Sequence, residues 1–95
     1  MIFGKFEWDM DKEEENIQKH KLDFYTASLA FLDPTRLIAV DAKHSNAEER
    51  IFCIGKIGER IATVRFTRRR DRIRIIGAGF WRSGKKLYET QKKRS

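Results

Sequence analysis

The sequence predicts an α+β fold, with an N-terminal strand and two helices packed on an antiparallel sheet of four to five strands and a short basic helix at the C-terminus. Apolar and polar side chains alternate along residues 60–78 with the two-residue period of strands. Aspartates that suit helix N-caps occur within residues 9–32, ahead of runs with apolar positions. A chain of 95 residues with 40% hydrophobic content can build one modest core, so we expect a single domain over residues 1–95.

The N-terminal elements follow from aromatic spacing and capping. Alternation at the start of the chain predicts a short strand with Phe6 and Trp8 facing the core. Asp9 or Asp11 fits the N-cap of a first helix that runs to about His20, and three glutamates near its start suit the helix dipole. The apolar stripe of this helix is thin, so we expect much of its surface to be wet.

The later elements are separated by turn signals. Asp23 fits the N-cap of a second, more buried helix over residues 24–32, which ends at Asp33 because a residue before proline avoids helical geometry. Strands are predicted at 37–41, 50–55, 60–67 and 72–78, with a polar loop at 42–48, turns at 56–59 and 68–71, and a basic helix at 85–94. The last four strands are expected to form an antiparallel meander.

The register of the hairpin formed by residues 60–67 and 72–78 follows from keeping one face apolar. Pairing Phe66 with Ile73 satisfies this requirement, and it places Arg65 opposite Arg74. Two arginines directly opposite each other repel unless an anion lies between them. The predicted pairing therefore indicates a phosphate-binding face, although two arginines that simply extend into water are the alternative.

Charge is divided unevenly along the chain. Residues 1–50 hold eleven acids and seven Lys/Arg, a net charge of −4, whereas residues 51–95 hold three acids and fourteen Lys/Arg, a net charge of +11. This asymmetry predicts that the C-terminal half binds a polyanion or an acidic protein.

Other classes of protein and site find little support in the sequence. There is no run of eighteen apolar residues and no signal-peptide pattern, so we expect neither a membrane span nor secretion. Cys53 is the only cysteine and lies in an apolar run, which predicts a core residue. His20, His44 and Cys53 lack the close spacing of zinc ligands, and no cofactor-binding motif is present, so no metal or cofactor is expected. Together these features predict a cytoplasmic protein.

Cleavage of RNA by transesterification needs only a base, an acid and cations at the phosphate. Arg65, Arg72 and Arg74 share a predicted sheet face and are candidates to hold the phosphate. His20 is a candidate for proton transfer, with a backbone-bonding residue at the helix end as the alternative. Trp81 is a candidate to stack a base, with core packing as the alternative.

A second polar group opens the strand at 50–55. Glu48 and Glu49 precede Arg50, and a glutamate there could act as base, as acid, or as the partner that orients the arginine. The alternative is a surface ion pair that contributes about 0–1 kcal/mol.

Several motifs occur together in an order that resembles BrnT toxins. They are Phe6-x-Trp8-Asp9-x-x-Lys12-x-x-x-Asn16-x-x-Lys19-His20, Phe24-x-x-Ala27, Phe31-x-Asp33, Glu48-Glu49-Arg50 with Ile54-Gly55, and Thr67 followed by Ile73-Arg74-Ile75-Ile76. The resemblance implies a ribonuclease toxin of a type II toxin–antitoxin pair, with a RelE-like fold, that cleaves mRNA and inhibits translation. It also implies a BrnA-like ribbon-helix-helix antitoxin, through which the complex binds operator DNA.

The resemblance further implies a set of site residues. The recurring polar positions of the family, which are the candidates for catalysis, fall on Lys12, Lys19, His20, Glu49, Arg50 and Arg74. The candidates for RNA binding are Arg65, Arg72, Trp81 and Arg82.

This chain departs from the family pattern at two places. Many members continue with Ser-Ala-Arg where this chain has Gly77-Ala78-Gly79, and Arg82 is the candidate to replace the missing arginine. Members often carry Gly after the Lys-His pair as a left-handed helix stop, but Lys21 stands here, at a cost of about 1 kcal/mol.

Two other functions fit the same residues. One is a non-catalytic RNA- or ribosome-binding module whose basic face only binds phosphates. The other is an interaction domain whose basic face receives an acidic antitoxin segment. Cleavage of RNA by the purified protein separates the toxin from both.

Overall fold

The computed structural model describes residues 1–45 and 47–94, and it has the α+β class that the sequence predicts. The strands are β1 (Ile2–Phe3), β2 (Phe6–Glu7), β3 (Leu37–Val40), β4 (Ile51–Ile57), β5 (Arg60–Arg69) and β6 (Arg72–Gly79). The helices are α1 (Met10–His20), α2 (Phe24–Ser28) and α3 (Arg82–Arg94), with 3₁₀ turns at Leu29–Leu32 and Ala42–His44. None of the described helices is long and apolar enough to cross a membrane.

One sheet with the strand order β1-β2-β6-β5-β4-β3 organises the described residues. The predicted antiparallel meander is confirmed for β3 to β6. The predicted strand number and uniform direction are wrong, because the sheet has six strands and β2 pairs with β6 in parallel. The difference arises at the N-terminus, where Gly4 adopts a φ of 59° and turns the expected single strand into a small hairpin.

The predicted register of the arginine-rich hairpin is wrong by two residues. Phe66 pairs with Ile75, and Thr67 pairs with Arg74. The turn is shorter than expected, since β5 and β6 extend until Arg69 pairs with Arg72. A shift of two residues keeps the apolar face intact, so the hydrophobic pattern alone could not distinguish the two registers.

A β-bulge then changes what lies opposite Arg65. The pairing shifts between Arg65 and Phe66, so that Arg65 lies opposite Gly77 and Ile76 is the extra residue of β6. The bulge also lets Ile75 and Ala78, three positions apart, both face the main core. Arg65 is therefore set against a residue without a side chain instead of against another arginine.

The sheet is covered on both faces. The main core lies under α1 and α2, and consists of Trp8, Leu22, Phe24, Ala27, Ala30, Ile51, Cys53, Ala62, Val64, Phe66, Ile75 and Ala78. A smaller core under α3 joins Tyr88 to Ile54 and Ile61. The expected core position of Cys53 is confirmed: its side chain is fully buried, and burial raises its pKa to about 12.

The C-terminal helix begins earlier than predicted and is firmly attached. Tyr88 is 2% exposed, and its hydroxyl donates to Asp33 Oδ2 over 2.6 Å. Gly84 is buried where a Cβ atom would overlap Thr63 Oγ1, so its small size lets α3 approach β5 closely. The helix is a structural layer of the fold and starts at Arg82, three residues before the basic helix that the sequence predicts at 85–94.

Candidate active site

Helix α1 lies along the edge of β6 where β2 no longer covers it, and Asn16 attaches the two. The Asn16 amide donates to the carbonyls of Ala78 and Leu22 over 2.8 and 2.9 Å, and its Oδ1 accepts from the Ala78 N–H over 3.1 Å. The side chain thus satisfies both backbone groups of Ala78, as a neighbouring strand would. Lys12, Lys19 and His20 are four, three and four residues from Asn16, so they share its face of the helix.

These side chains line an open cleft of about 270 Å³ between α1, the β6 bulge and the start of α3. The lining residues are Lys12, Glu15, Asn16, Lys19, His20, Arg65, Ile76, Gly77 and Trp81. The set contains three cations and a histidine but a single carboxylate. Such a composition favours an anionic ligand.

Arg65 reaches the cleft from the sheet. Its Nε atom is buried and has no hydrogen-bond partner among the described residues. Its guanidinium carbon lies 5.9 Å from the centre of the Phe52 ring. No carboxylate among the described residues pairs with this charge, so an anion bound in the cleft would supply the missing counter-charge.

Trp81 closes one side of the cleft and contacts His20. The two rings are edge to face, with centroids 5.2 Å apart and an angle of 84°. The indole Nε1–H donates to His20 Nδ1 over a long 3.5 Å. Because indole can only donate, Nδ1 is the acceptor, and the neutral histidine carries its proton on Nε2.

Trp81 takes this position because Gly79 has no side chain. A Cβ atom at position 79 would overlap Nε1 of the indole and lie 2.5 Å from its Cε2. Trp81 therefore fills the space above Gly79, the position at which the resemblance implies an arginine. Arg82, the candidate replacement, is exposed as the first residue of α3 and is not among the residues that line the cleft.

Arg72 and Arg74 lie in a second polar group and already have partners. Arg74 Nη1 donates to Glu7 Oε2 over 2.8 Å. Arg72 Nη1 donates to the Gly4 carbonyl over 2.9 Å, and its Nε lies 4.0 Å from Glu7. Glu7 and Gly4 of the N-terminal hairpin thus already bind Arg72 and Arg74, the two arginines that the sequence analysis expected to bind phosphate.

Glu49 and Arg50 also lie outside the cleft lining. The Glu49 side chain is exposed, and its carbonyl accepts from the buried hydroxyl of Thr67 over 2.8 Å. Glu48 instead holds Arg69 through two bonds of 3.1 Å, and this pairing lowers the Glu48 pKa. The structure therefore joins Lys12, Lys19, His20, Arg65 and Trp81, and separates them from Glu49, Arg50, Arg72, Arg74 and Arg82.

Sequence reasoning did not select Glu15, Asn16 or Gly77 as site residues. Asn16 could have been found, since it shares a helix face with Lys12 and His20 and is part of the same N-terminal motif. Gly77 could not, because its role depends on a bulge that shifts the pairing by one residue.

The part of the chain that matches a known protein family contains the whole cleft. A family model described as the ribonuclease toxin BrnT of type II toxin–antitoxin systems matches residues 8–84, which include every residue lining the cleft. A search of curated proteins found no match.

Proposed function

The chain belongs to the BrnT family of ribonuclease toxins of type II toxin–antitoxin systems, and from this membership we propose that it cleaves RNA in the cleft beside α1. The family implies an RNA substrate and an antitoxin partner. The proposed reaction is attack of a ribose 2′-oxygen on the adjacent phosphorus, with loss of the 5′-oxygen of the next nucleotide. The products are a 2′,3′-cyclic phosphate and a free 5′-hydroxyl.

The observation that carries this proposal is the Arg65 guanidinium, which lines a cationic cleft and has no ion-pair partner among the described residues. A phosphate held there would accept from Arg65 and face Lys12 and Lys19. The negative charge that grows on the phosphate oxygens in the transition state is what such fixed cations stabilise. Arg65 is held beside the ring of Phe52, so little reorganisation is needed when the charge develops.

Two protons must move in the reaction, and two cleft residues can move them. His20 is the proposed acid: in its protonated, imidazolium form it can give the Nε2 proton to the leaving 5′-oxygen. Glu15 supplies the single carboxylate among the described lining residues and is the proposed acceptor of the 2′-hydroxyl proton. In this assignment Trp81 is a positioning residue, because its ring packs edge to face against the imidazole and orients it.

The test is end-group analysis of RNA incubated with purified protein. Transesterification predicts 2′,3′-cyclic phosphate and 5′-hydroxyl ends, and no cleavage where a 2′-deoxynucleotide replaces the nucleotide before the cut. Products with 5′-phosphate ends would exclude the mechanism.

One observation favours a second candidate. Trp81 occupies the space over Gly79 where many members carry arginine, which removes a cation from the site. A module that binds RNA, or only the antitoxin, without cutting would fit that loss. Retention of intact RNA by the purified protein would support this alternative.

The antitoxin is proposed to be BrnA-like and to supply an acidic segment that covers the cleft. Operator DNA would then be bound only through the antitoxin in the complex, and the free toxin would act on mRNA in the cytoplasm. The net charge of +11 on residues 51–95 supports an acidic partner on this half of the chain.

A further inference from the structure

The tip of the β5–β6 hairpin carries arginines that the cleft does not use. Arg69 pairs with Arg72, so Arg70 and Asp71 form a two-residue turn. Arg68, Arg69 and Arg70 are all exposed. The tip is thus a run of exposed cations at the end of the same strand that places Arg65 in the cleft.

The turn holds Arg70 in a backbone conformation that arginine rarely adopts. Its φ is 60°, in the left-handed region, whereas two-residue hairpin turns of this kind usually place Gly, Asn or Asp there. Strain of this type persists in proteins chiefly at functional positions. An arginine is retained where glycine would fold more easily.

Two arginines of the tip have hydrogen-bond partners in the part of the chain that the structure describes, and two do not. Arg69 is held by two bonds to Glu48, and Arg72 donates to the Gly4 carbonyl. Within residues 1–45 and 47–94, the side chains of Arg68 and Arg70 have no hydrogen-bond or ion-pair partner. The hairpin thus presents two unpaired guanidinium groups on a fixed support.

We propose that Arg68 and Arg70 form a second phosphate-binding site, which holds the RNA strand whose scissile phosphate lies in the cleft. This inference rests on the proposed function. Arg70 lies five positions beyond Arg65, which corresponds to about 16 Å along a strand, a span that a few nucleotides cover. Arg68 and Arg65 project from opposite faces of β5, so the bound RNA would pass around the end of the hairpin. Arginine suits this role because its planar fork binds phosphate oxygens in pairs.

The expected effect depends on RNA length. The double variant Arg68→Gln/Arg70→Gly relieves the strain at residue 70, so the fold is kept. It should bind an uncleavable 2′-O-methyl RNA of about 20 nucleotides, longer than most single-strand sites, several-fold more weakly than the parent. Loss of two phosphate contacts should also reduce the slope of log K against log salt by about 1.4. A trinucleotide, which fills only the cleft, should bind equally to both proteins.

The control is Arg36→Gln, which removes an exposed cation beside the start of β3, at the end of the sheet remote from the tip. Unchanged affinity and salt slope of the double variant for the long RNA would overturn the proposal. So would a loss confined to antitoxin binding, since the tip would then be a protein-binding surface. Cleavage by the parent is scored separately: a parent that binds but never cuts contradicts the proposed function, while the salt slope still decides the role of the tip.

Discussion

Lys21 ends α1 in the left-handed conformation, with φ 58° and ψ 34°. Its N–H donates to the Ile17 carbonyl over 2.9 Å, so the residue performs the capping role that glycine has in most such helix ends. The expectation that a lysine takes this strained position is confirmed.

Replacing this residue with glycine should stabilise the protein. Lys21→Gly removes the left-handed penalty of an L-residue and should raise the free energy of unfolding by about 1 kcal/mol. Urea denaturation measures the change. Lys21→Ala is the control: it loses the exposed side chain but keeps the strain, so a gain of the same size in both variants would contradict the explanation.

The two arginines predicted to face each other should differ in their effect on RNA cleavage. Arg65→Ala removes the unsatisfied guanidinium of the cleft and should lower kcat by about 100-fold, with little change in stability. Arg74 is 26% exposed and already paired with Glu7, so Arg74→Ala should lower activity less. Single-turnover cleavage by the two variants decides the order, and equal losses would place Arg74 at the phosphate as well.

At the residue scale, side chains that act from a helix were the easier ones to predict. Lys12, Lys19 and His20 are candidates through the family resemblance, and helical spacing then places them on one face of α1. Arg65 was selected for phosphate binding, but with the wrong partner opposite it. Gly77 and Gly79 contribute by leaving space for neighbouring side chains. A sequence does not show which side chain fills the space above a glycine.

Among the elements, α3 depends on a polar network at Asp33. Burial alone would raise the pKa of this carboxyl, but hydrogen bonds from the Tyr88 hydroxyl, the Lys56 N–H and Thr35 outweigh it and hold the pKa below its ordinary value. A carboxyl with a lowered pKa in the folded state stabilises the fold above its unfolded pKa of about 3.9, and this contribution is lost as the pH falls below that value.

Tyr88→Phe should therefore destabilise the protein in a pH-dependent way. Loss of the hydroxyl bond to a carboxylate should lower the free energy of unfolding by about 1.5 kcal/mol at pH 7. The difference between variant and parent should stay constant through about pH 3.9 and shrink only as the pH falls toward the lowered folded-state pKa of Asp33, where the carboxylate that accepts from Tyr88 becomes protonated. Urea denaturation across this range tests it, and a difference that stays constant with pH would show that the hydroxyl matters for packing alone.

The type of each element was predictable, but the turns and the strand register that connect the elements were not. The four-strand meander and the caps at Asp9 and Asp23 follow from local patterns. The hairpin register depends on a tight turn at Arg70, whose sequence gives no turn signal of the usual Gly or Asn kind. The sequence predicts a single strand where the N-terminal hairpin turns at Gly4, because aromatic and polar residues alternate without interruption across the turn.

On the scale of the whole molecule, charge predicts competition between RNA and antitoxin. An acidic antitoxin segment that covers the cleft should exclude RNA, and the complex should resist unfolding better than the free toxin by mass action. Saturating RNA should then lower the affinity of a cleavage-deficient toxin for its antitoxin. Arg65→Glu should weaken the complex, which titration calorimetry can measure.

The alternative is an antitoxin that docks away from the cleft, and the fold has an exposed apolar surface on which it could dock. Ile38 and Val40 are 49% and 57% exposed on β3, which is an edge strand of the sheet, and Leu32 in the preceding 3₁₀ turn is 76% exposed. If RNA leaves antitoxin affinity unchanged and Val40→Glu weakens the complex while Arg65→Glu does not, inhibition is remote. The net charge predicted a partner of opposite sign, but it does not by itself distinguish these two surfaces.

Gly79 and Trp81 also constrain how this sequence can change. An arginine introduced at position 79 would collide with the indole, whereas a small residue introduced at position 81 would leave a void and release His20. Each single substitution is therefore worse than either matched pair. A return to the commoner family pattern must pass through an impaired intermediate, so lineages that carry this pair are expected to keep both residues or to replace both.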